Sequence, residues 1–264
     1  MSKKYSLGID LGTSNSALTV ASLEDKSLED LSILQAVGPH TVEALPGLPS
    51  HVYIAAPDEF AEDAFNLPGF DQRSGRIVGA FARQHGAQVP DRLISSAKSW
   101  LCSKRIDHRE AILPWQSSSV EAKLSPIEAS RLYLESLTFG FQAAGESAGR
   151  DWSLANTEVV LTVPASFDEV ARSLTYEAAE AAGLGQVTLM EEPQAAFYAW
   201  LSQAGAQWRK EVNTGDLILV CDVGGGTSDF SLICVTEADG DLELERISVG
   251  EHLLLGGDNL DLAL

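Results

Sequence analysis

Short apolar runs and helical stripes mark out the elements of this chain. Tyr5 to Asp10 is an apolar strand that ends on an acid. Gly12-Thr13-Ser14-Asn15-Ser16 makes a turn, and Ala17 to Ser22 resumes as a second strand. A third strand is expected near Leu31 to Val37, and another at His51 to Ala55 after the Pro46 and Pro49 turns. Residues 57–80 read as a polar, Pro/Gly-marked excursion, and residues 81–118 are mixed, with a helix around Leu93 to Leu101. Ser125-Pro126-Ile127-Glu128 is a capping box with proline at the first helical position. A long helix from Pro126 to about Ala143 follows, burying Ile127, Leu134, Leu137 and Phe141.

The next stretch has a regular α/β rhythm. Glu158 to Val163 is a strand. Ser166 and Glu169 suggest a second capping box, opening a helix that Gly183 stops, with Phe167, Val170, Ala171, Leu174, Ala178 and Ala181 on its apolar face. Val187 to Met190 is a strand, and Pro193 opens a helix to about Gln203. Leu217 to Asp222 is again a strand ending on an acid. Gly224-Gly225-Gly226-Thr227 follows it, then strands at Phe230 to Val235 and Leu242 to Val249. The two Asp-Gly hairpins share one design, so the simplest account is an internal duplication. The second copy stops at Leu264, as a truncated repeat would.

Composition narrows the partners. Of 264 residues 45% are apolar, enough for a proper core, and the net charge of −20 repels nucleic acid and anionic membranes. Any phosphate ligand must be held by backbone donors and a cation rather than by bulk positive charge. Cys102, Cys221 and Cys234 are widely spaced, and no apolar signal segment follows the first residues, so a reducing, cytoplasmic setting is expected. The histidines show no transition-metal spacing, and no run reaches the length of a membrane span.

The hairpins carry the chemistry. Glycine lets backbone N–H groups approach an anion closely, and Thr13, Ser14, Thr227 and Ser228 add hydroxyl donors. A carboxylate beside a phosphate is repulsive unless a divalent cation lies between them. Asp10 and Asp222 at the strand ends therefore point to Mg²⁺ on a nucleotide triphosphate. The P-loop, dinucleotide-binding and nucleophile-elbow patterns are all missing from the sequence.

With these residues assembled, Gly8-Ile9-Asp10-Leu11-Gly12-Thr13-Ser14-Asn15-Ser16 resembles the first phosphate loop of the DnaK-type, seventy-kilodalton heat-shock chaperones. Further landmarks follow in that family's order. They are Thr162-Val163-Pro164-Ala165-Ser166-Phe167 with Arg172, Glu192-Pro193-Gln194-Ala195-Ala196, Asp222 through Asp229, and Gly256-Gly257-Asp258-Asn259-Leu260-Asp261. The resemblance implies an α/β, actin-like ATPase fold, with duplicated ribonuclease-H-like lobes around a nucleotide cleft. It places a first lobe at residues 1–210, with an inserted subdomain at about 38–122, and the start of a truncated second lobe at 211–264. By the same likeness ATP and Mg²⁺ are the cofactors. Gly12, Thr13, Ser14, Asn15, Gly224, Gly225, Gly226 and Thr227 face the phosphates, and Asp10 and Asp222 hold the metal through water. Glu192, Arg83 and Asp222 form the catalytic set, and Pro164 and Arg172 relay nucleotide state. Peptide clients and co-chaperones are the implied partners.

Three departures accompany the likeness. Val78-Gly79-Ala80-Phe81-Ala82-Arg83 aligns with a family segment that ends on a catalytic lysine; arginine keeps the charge but cannot surrender a proton. Glu191 and Gln194 replace the polar residues usual beside the Glu-Pro pair. The segment that normally holds the adenosine and the peptide-binding domain are not in this sequence. Two alternatives stand beside the ATPase reading. One is a small-molecule kinase of the same fold superfamily, the other a nucleotide-switched, non-enzymatic or filament-forming relative. Glu192 has its own plain alternative, a simple helix cap.

Overall fold

The computed structural model describes residues 3–67, 70, 75–103, 105–207, 211–238, 241–250, 253, 255–257 and 260. In chain order its first elements are β1 (Tyr5–Asp10), β2 (Asn15–Ser22), β3 (Leu28–Leu31), β4 (Ile33–Gly38), β5 (Thr41–Leu45), β6 (Leu48–Pro49), β7 (His51–Ile54) and β8 (Arg76–Val78). Then come α1 (Ala80–Gly86), β9 (Leu93–Ser95), α2 (Ala97–Trp100), α3 (Pro126–Ser147), β10 (Thr157–Val163), α4 (Glu169–Ala181), β11 (Val187–Glu191) and α5 (Glu192–Ala204). The last three are β12 (Leu217–Val223), β13 (Ser228–Ala238) and β14 (Asp241–Val249). The chain divides into two compact units. One is residues 1–161 with 169–189, and the other residues 162–168 with 190–264.

The first unit is built on a mixed sheet ordered β11-β10-β1-β2-β3, with β6 added to β2. β1 runs antiparallel to β2 and parallel to β10, with Tyr5 opposite Thr157 and Ile9 opposite Leu161. Alternate residues Leu7, Ile9, Leu18, Val20, Val159 and Leu161 go inward, as a period of two requires. The same core takes in Leu134, Leu137 and Phe141 of α3 and Leu174 and Ala178 of α4. A smaller sheet, β8-β7-β9, has its own cluster around Tyr53, Ile77, Phe65 and Phe81.

Local signals hold where they were strong. The capping box is complete, with Ser125 Oγ accepting from Glu128 N–H at 3.1 Å and Glu128 Oε2 accepting from Ser125 N–H at 2.9 Å. α3 runs four residues beyond the expected end, and its four expected core residues are buried.

Elsewhere the structure corrects the sequence reading. The single third strand is two: β3 continues the sheet beside β2, while β4 pairs with β5, and the exposed Ser32 separates them. The helix expected over Leu93 to Leu101 is a strand first, because Leu93 and Ile94 pair with Tyr53 and Val52; only Ala97–Trp100 is helical. The excursion at 57–80 contains β8, paired with β7. On α4 the buried stripe is Ala171, Leu174, Thr175, Ala178 and Ala179, so Val170, 57% exposed, and Ala181 fall outside it. The helix starts at Glu169 rather than directly after Ser166.

The second unit holds the sheet β12-β13-β14, antiparallel throughout. Ile233 and Val235 of β13 are buried, whereas Leu217, Leu219 and Val223 along β12 are exposed. No described helix is long and apolar enough to cross a membrane.

Candidate functional site

The first hairpin pairs Asp10 with Ala17, and the second pairs Asp222 with Asp229. In each, the acid (last in β1, last but one in β12) lies opposite the residue seven positions on, and glycine stands two positions after the acid. The turns are therefore of one length. In the first, a Cβ on Gly12 would lie 1.9 Å from the Asn15 carbonyl oxygen, so only glycine fits. In the second, Gly224 N–H donates to Thr227 O at 2.8 Å, and a Cβ on Gly224 would keep 3.5 Å from that oxygen.

Asn15 and Ser16, expected in the turn, belong to β2, because they pair with Pro49 and Leu48 of β6. Ser50, which follows directly, holds the hairpin from behind. Its N–H donates to Ser14 O at 2.9 Å, its Oγ donates to Gly12 O at 2.8 Å, and it meets Ser16 Oγ at 2.9 Å. Thr13 and Ser14 are half-buried, while Asp10 and Asn15 are exposed.

Arg83 comes to this hairpin. It lies on α1, exposed, with Nη1 at 3.5 Å from Asn15 Oδ1. The sequence offered no view of this contact, since the two residues are 68 positions apart. On the same helix His85 Nε2 meets Glu59 Oε1 at 3.1 Å and its ring stacks on Phe81. The Tyr53 hydroxyl donates to Glu59 at 2.8 Å, and Ala56 N–H donates to it at 2.7 Å. Burial pushes the Glu59 carboxyl up, but donation from Ala56, Tyr53 and His85 outweighs it and holds the group below its ordinary value. Burial, then the bond to Glu59, pushes the Tyr53 phenol well above its usual range; Arg92 opposes this weakly.

Because the folded Glu59 is the stronger acid, its contribution to stability is complete above the unfolded value and is lost as pH falls through the lowered folded one. Glu59→Gln is therefore expected to destabilise by about 1–2 kcal/mol at neutral pH. The difference from the parent should shrink as pH drops below the ordinary carboxylate value of 4.5. Urea melts of both proteins at pH 7 and pH 4 measure it, and an equal difference at the two values would exclude the effect.

In the second unit Gly257 N–H donates to Gly224 O at 2.9 Å and Ser228 Oγ to Leu255 O at 2.7 Å, so the Gly256-Gly257 landmark returns to the second hairpin. Asp258, Asn259 and Asp261 lie outside the described residues. Asp222 and the run Gly224 through Thr227 are half-buried. Glu192 is the first residue of α5, whose N-cap is Glu191. The Glu191 side chain makes no capping bond and pairs with Arg246 of β14. Pro164 is buried just after β10, its carbonyl accepting from Phe167 N–H at 3.1 Å. Arg172 sits half-buried on α4, off the buried stripe.

Two matched Asp-Gly hairpins, with the later landmarks in order, call for comparison with known families. The Hsp70 protein family matches residues 6–264. This chain belongs to the Hsp70 family. It is 32% identical to the chaperone protein HscA of Enterobacter sp. (strain 638), over 98% of this chain and 36% of that protein. HscA of Edwardsiella ictaluri is also 32% identical, over the same shares, and the HscA homolog of Pseudomonas putida is 31% identical over 99% and 37%. The chain thus spans just over a third of the length of these curated Hsp70-family relatives. The mixed α/β architecture with a mixed sheet agrees with membership.

Proposed function

We propose that this chain is an ATP-binding part of the ATPase domain of a divergent Hsp70-type chaperone, with the duplicated lobes of an actin-like ATPase. The first lobe would cover residues 1–210 with its insertion, and the second would begin at 211. The observation that carries the reading is the identical register of the two hairpins, one of which receives Arg83. Homology to HscA chaperones supports the same class.

The reaction is in-line attack of water on the γ-phosphorus. A water-oxygen–phosphorus bond forms, the bond to the bridging oxygen breaks, ADP leaves, and the water's proton passes to phosphate or solvent. Backbone N–H groups of Gly12 to Asn15 and Gly225 to Thr227, with the Thr13 and Thr227 hydroxyls, hold the phosphates, while the Gly224 N–H closes the second turn on Thr227 O. Glu192 at the start of α5 orients the water. A carboxylate at a helix N-terminus is held charged and is a weak base, suited to positioning rather than deprotonation. Arg83 neutralises charge on the transferred group. Mg²⁺, when bound, spreads charge over the phosphate oxygens. The donors would suit it: Asp10 and Asp222 supply one carboxylate from each hairpin, the sparse oxygen set that Mg²⁺ takes beside phosphates. Pro164 and Arg172 would pass nucleotide state to co-chaperones and a peptide-binding region, in a cytoplasmic protein.

The test uses the full-length protein. Asp10→Asn and Asp222→Asn should each weaken ATP binding in Mg²⁺ about tenfold, a loss of ~1.4 kcal/mol. The double variant should fall short of the sum, because both act on one ion. Equal ATP affinity in EDTA and in Mg²⁺ would overturn the reading. Phosphate release stimulated by unfolded peptide, and not by sugars or acids, separates it from a small-molecule kinase.

A further inference from the structure

The helix that carries Arg83 is too short to direct itself. α1 has seven residues, and helices of that length are not stable alone in water. Its N-cap is Gly79, at φ 94°, with no side chain to satisfy the first N–H groups. The cap comes from Gln35 on β4, a side chain only 2% exposed. Gln35 Oε1 accepts from Ala80 N–H at 2.9 Å, while Nε2 donates to Gly47 O at 2.9 Å and to Ile33 O at 3.3 Å. One amide orientation satisfies all three bonds.

That single side chain joins the two halves of the candidate phosphate contact. Gly47 leads directly into β6, which pairs with Asn15 and Ser16 of the first hairpin. Ala80 lies three residues before Arg83, so the two share one side of the helix. The seating is tight. A Cβ on Gly79 would lie 2.6 Å from Gln35 Oε1 and 2.8 Å from Leu48 Cδ1.

We propose that Gln35 is a positioning residue, which fixes the direction in which α1 presents the Arg83 guanidinium to the first hairpin. The inference rests on the reading of Arg83 as the phosphate-facing cation. A tilt of about 10° moves a group about 6 Å from the helix axis by about 1 Å, and a misplacement of that size can cost about a hundredfold in rate. Gln35 is buried, and its three bonds go to Ile33, Gly47 and Ala80, so it acts through Arg83 and the loss belongs to the chemical step rather than to binding.

The experiment is a double-mutant cycle in the full-length protein, read by single-turnover ATP hydrolysis and by ATP affinity. Gln35→Met keeps the volume and removes all three bonds. It is expected to slow hydrolysis about tenfold while changing affinity less than threefold, and to slow the Arg83→Ala protein no further. Gln35→Glu, which keeps the acceptor for Ala80 but loses both donors, is the second variant should Gln35→Met not fold, with the same split expected. An unchanged rate, a loss additive to that of Arg83→Ala, or failure of both variants to fold would overturn the proposal and leave Gln35 a core residue. A parent with no hydrolysis, or an Arg83→Ala protein as fast as the parent, would instead overturn the reading beneath it.

Discussion

Gly12→Ala is expected to abolish nucleotide binding, and Gly224→Ala to leave the chain folded. The two glycines hold equivalent places in matched hairpins, yet their surroundings differ. An alanine Cβ at position 12 would sit 1.9 Å from the Asn15 carbonyl oxygen, where no atom fits. That oxygen belongs to backbone paired with Pro49, so it has no flexible end to swing aside. The turn must open, at a cost of about 3 kcal/mol, typical of forced overpacking. Opening it also moves the Gly12 carbonyl away from Ser50 and scatters the N–H groups proposed to hold phosphate. At position 224 the same methyl keeps 3.5 Å, an ordinary contact. Thermal melts and ATP titrations of the two variants provide the comparison. Equal damage from both would show that the clearance does not govern the hairpins.

Arg83→Ala should slow single-turnover hydrolysis by tens-fold or more, with ATP affinity changing much less. On the proposed reading, Arg83 is a charged donor to the transferred phosphoryl group, and removing it costs ~2–4 kcal/mol at the transition state, the scale of losing an oxyanion-type donor. Arg83→Lys keeps the charge as a compact ammonium and should retain more of the rate than alanine. A rate untouched by both substitutions would remove Arg83 from the site, despite its 3.5 Å approach to Asn15.

Much of this could be read from the sequence wherever the signal was local. Ser125 and Glu128 are three residues apart and state their own geometry; the Asp10 and Asp222 hairpins do the same through Asp-Gly spacing. What escaped was set by distant partners. Leu93 and Ile94 carry no mark that separates a strand from a helix. Their pairing with Tyr53 and Val52 decides it, as tertiary context overrides short-range preference. Val170 looked apolar enough for a helix face, but its angular position turned it outward. Gln35 and Ser50 support the candidate site through bonds spanning 45 and 38 residues, which no motif records. Both are polar residues almost wholly buried, and the apolar periodicity that announces a buried helix face gives no sign of a buried polar side chain.

The register of β1 also has a meaning for the order in which the chain is made. One edge of β1 is taken by β2 within a few residues, but the other waits for β10, from Tyr5 to Thr157. Hairpins close in microseconds, whereas ribosomes add about 5–20 residues per second, so the second partner leaves the ribosome roughly 8–30 s later. Through that interval a row of N–H and C=O groups beside Leu7 and Ile9 stays open to any other strand. When β10 arrives, Lys4 N–H closes on Asn156 O at 2.7 Å, and the Lys3 ammonium donates to the carbonyls of Leu154, Ala155 and Thr157. This border of β1 is thus sealed long after the strand itself is made, and within the sheet only the β10–β11 border waits longer.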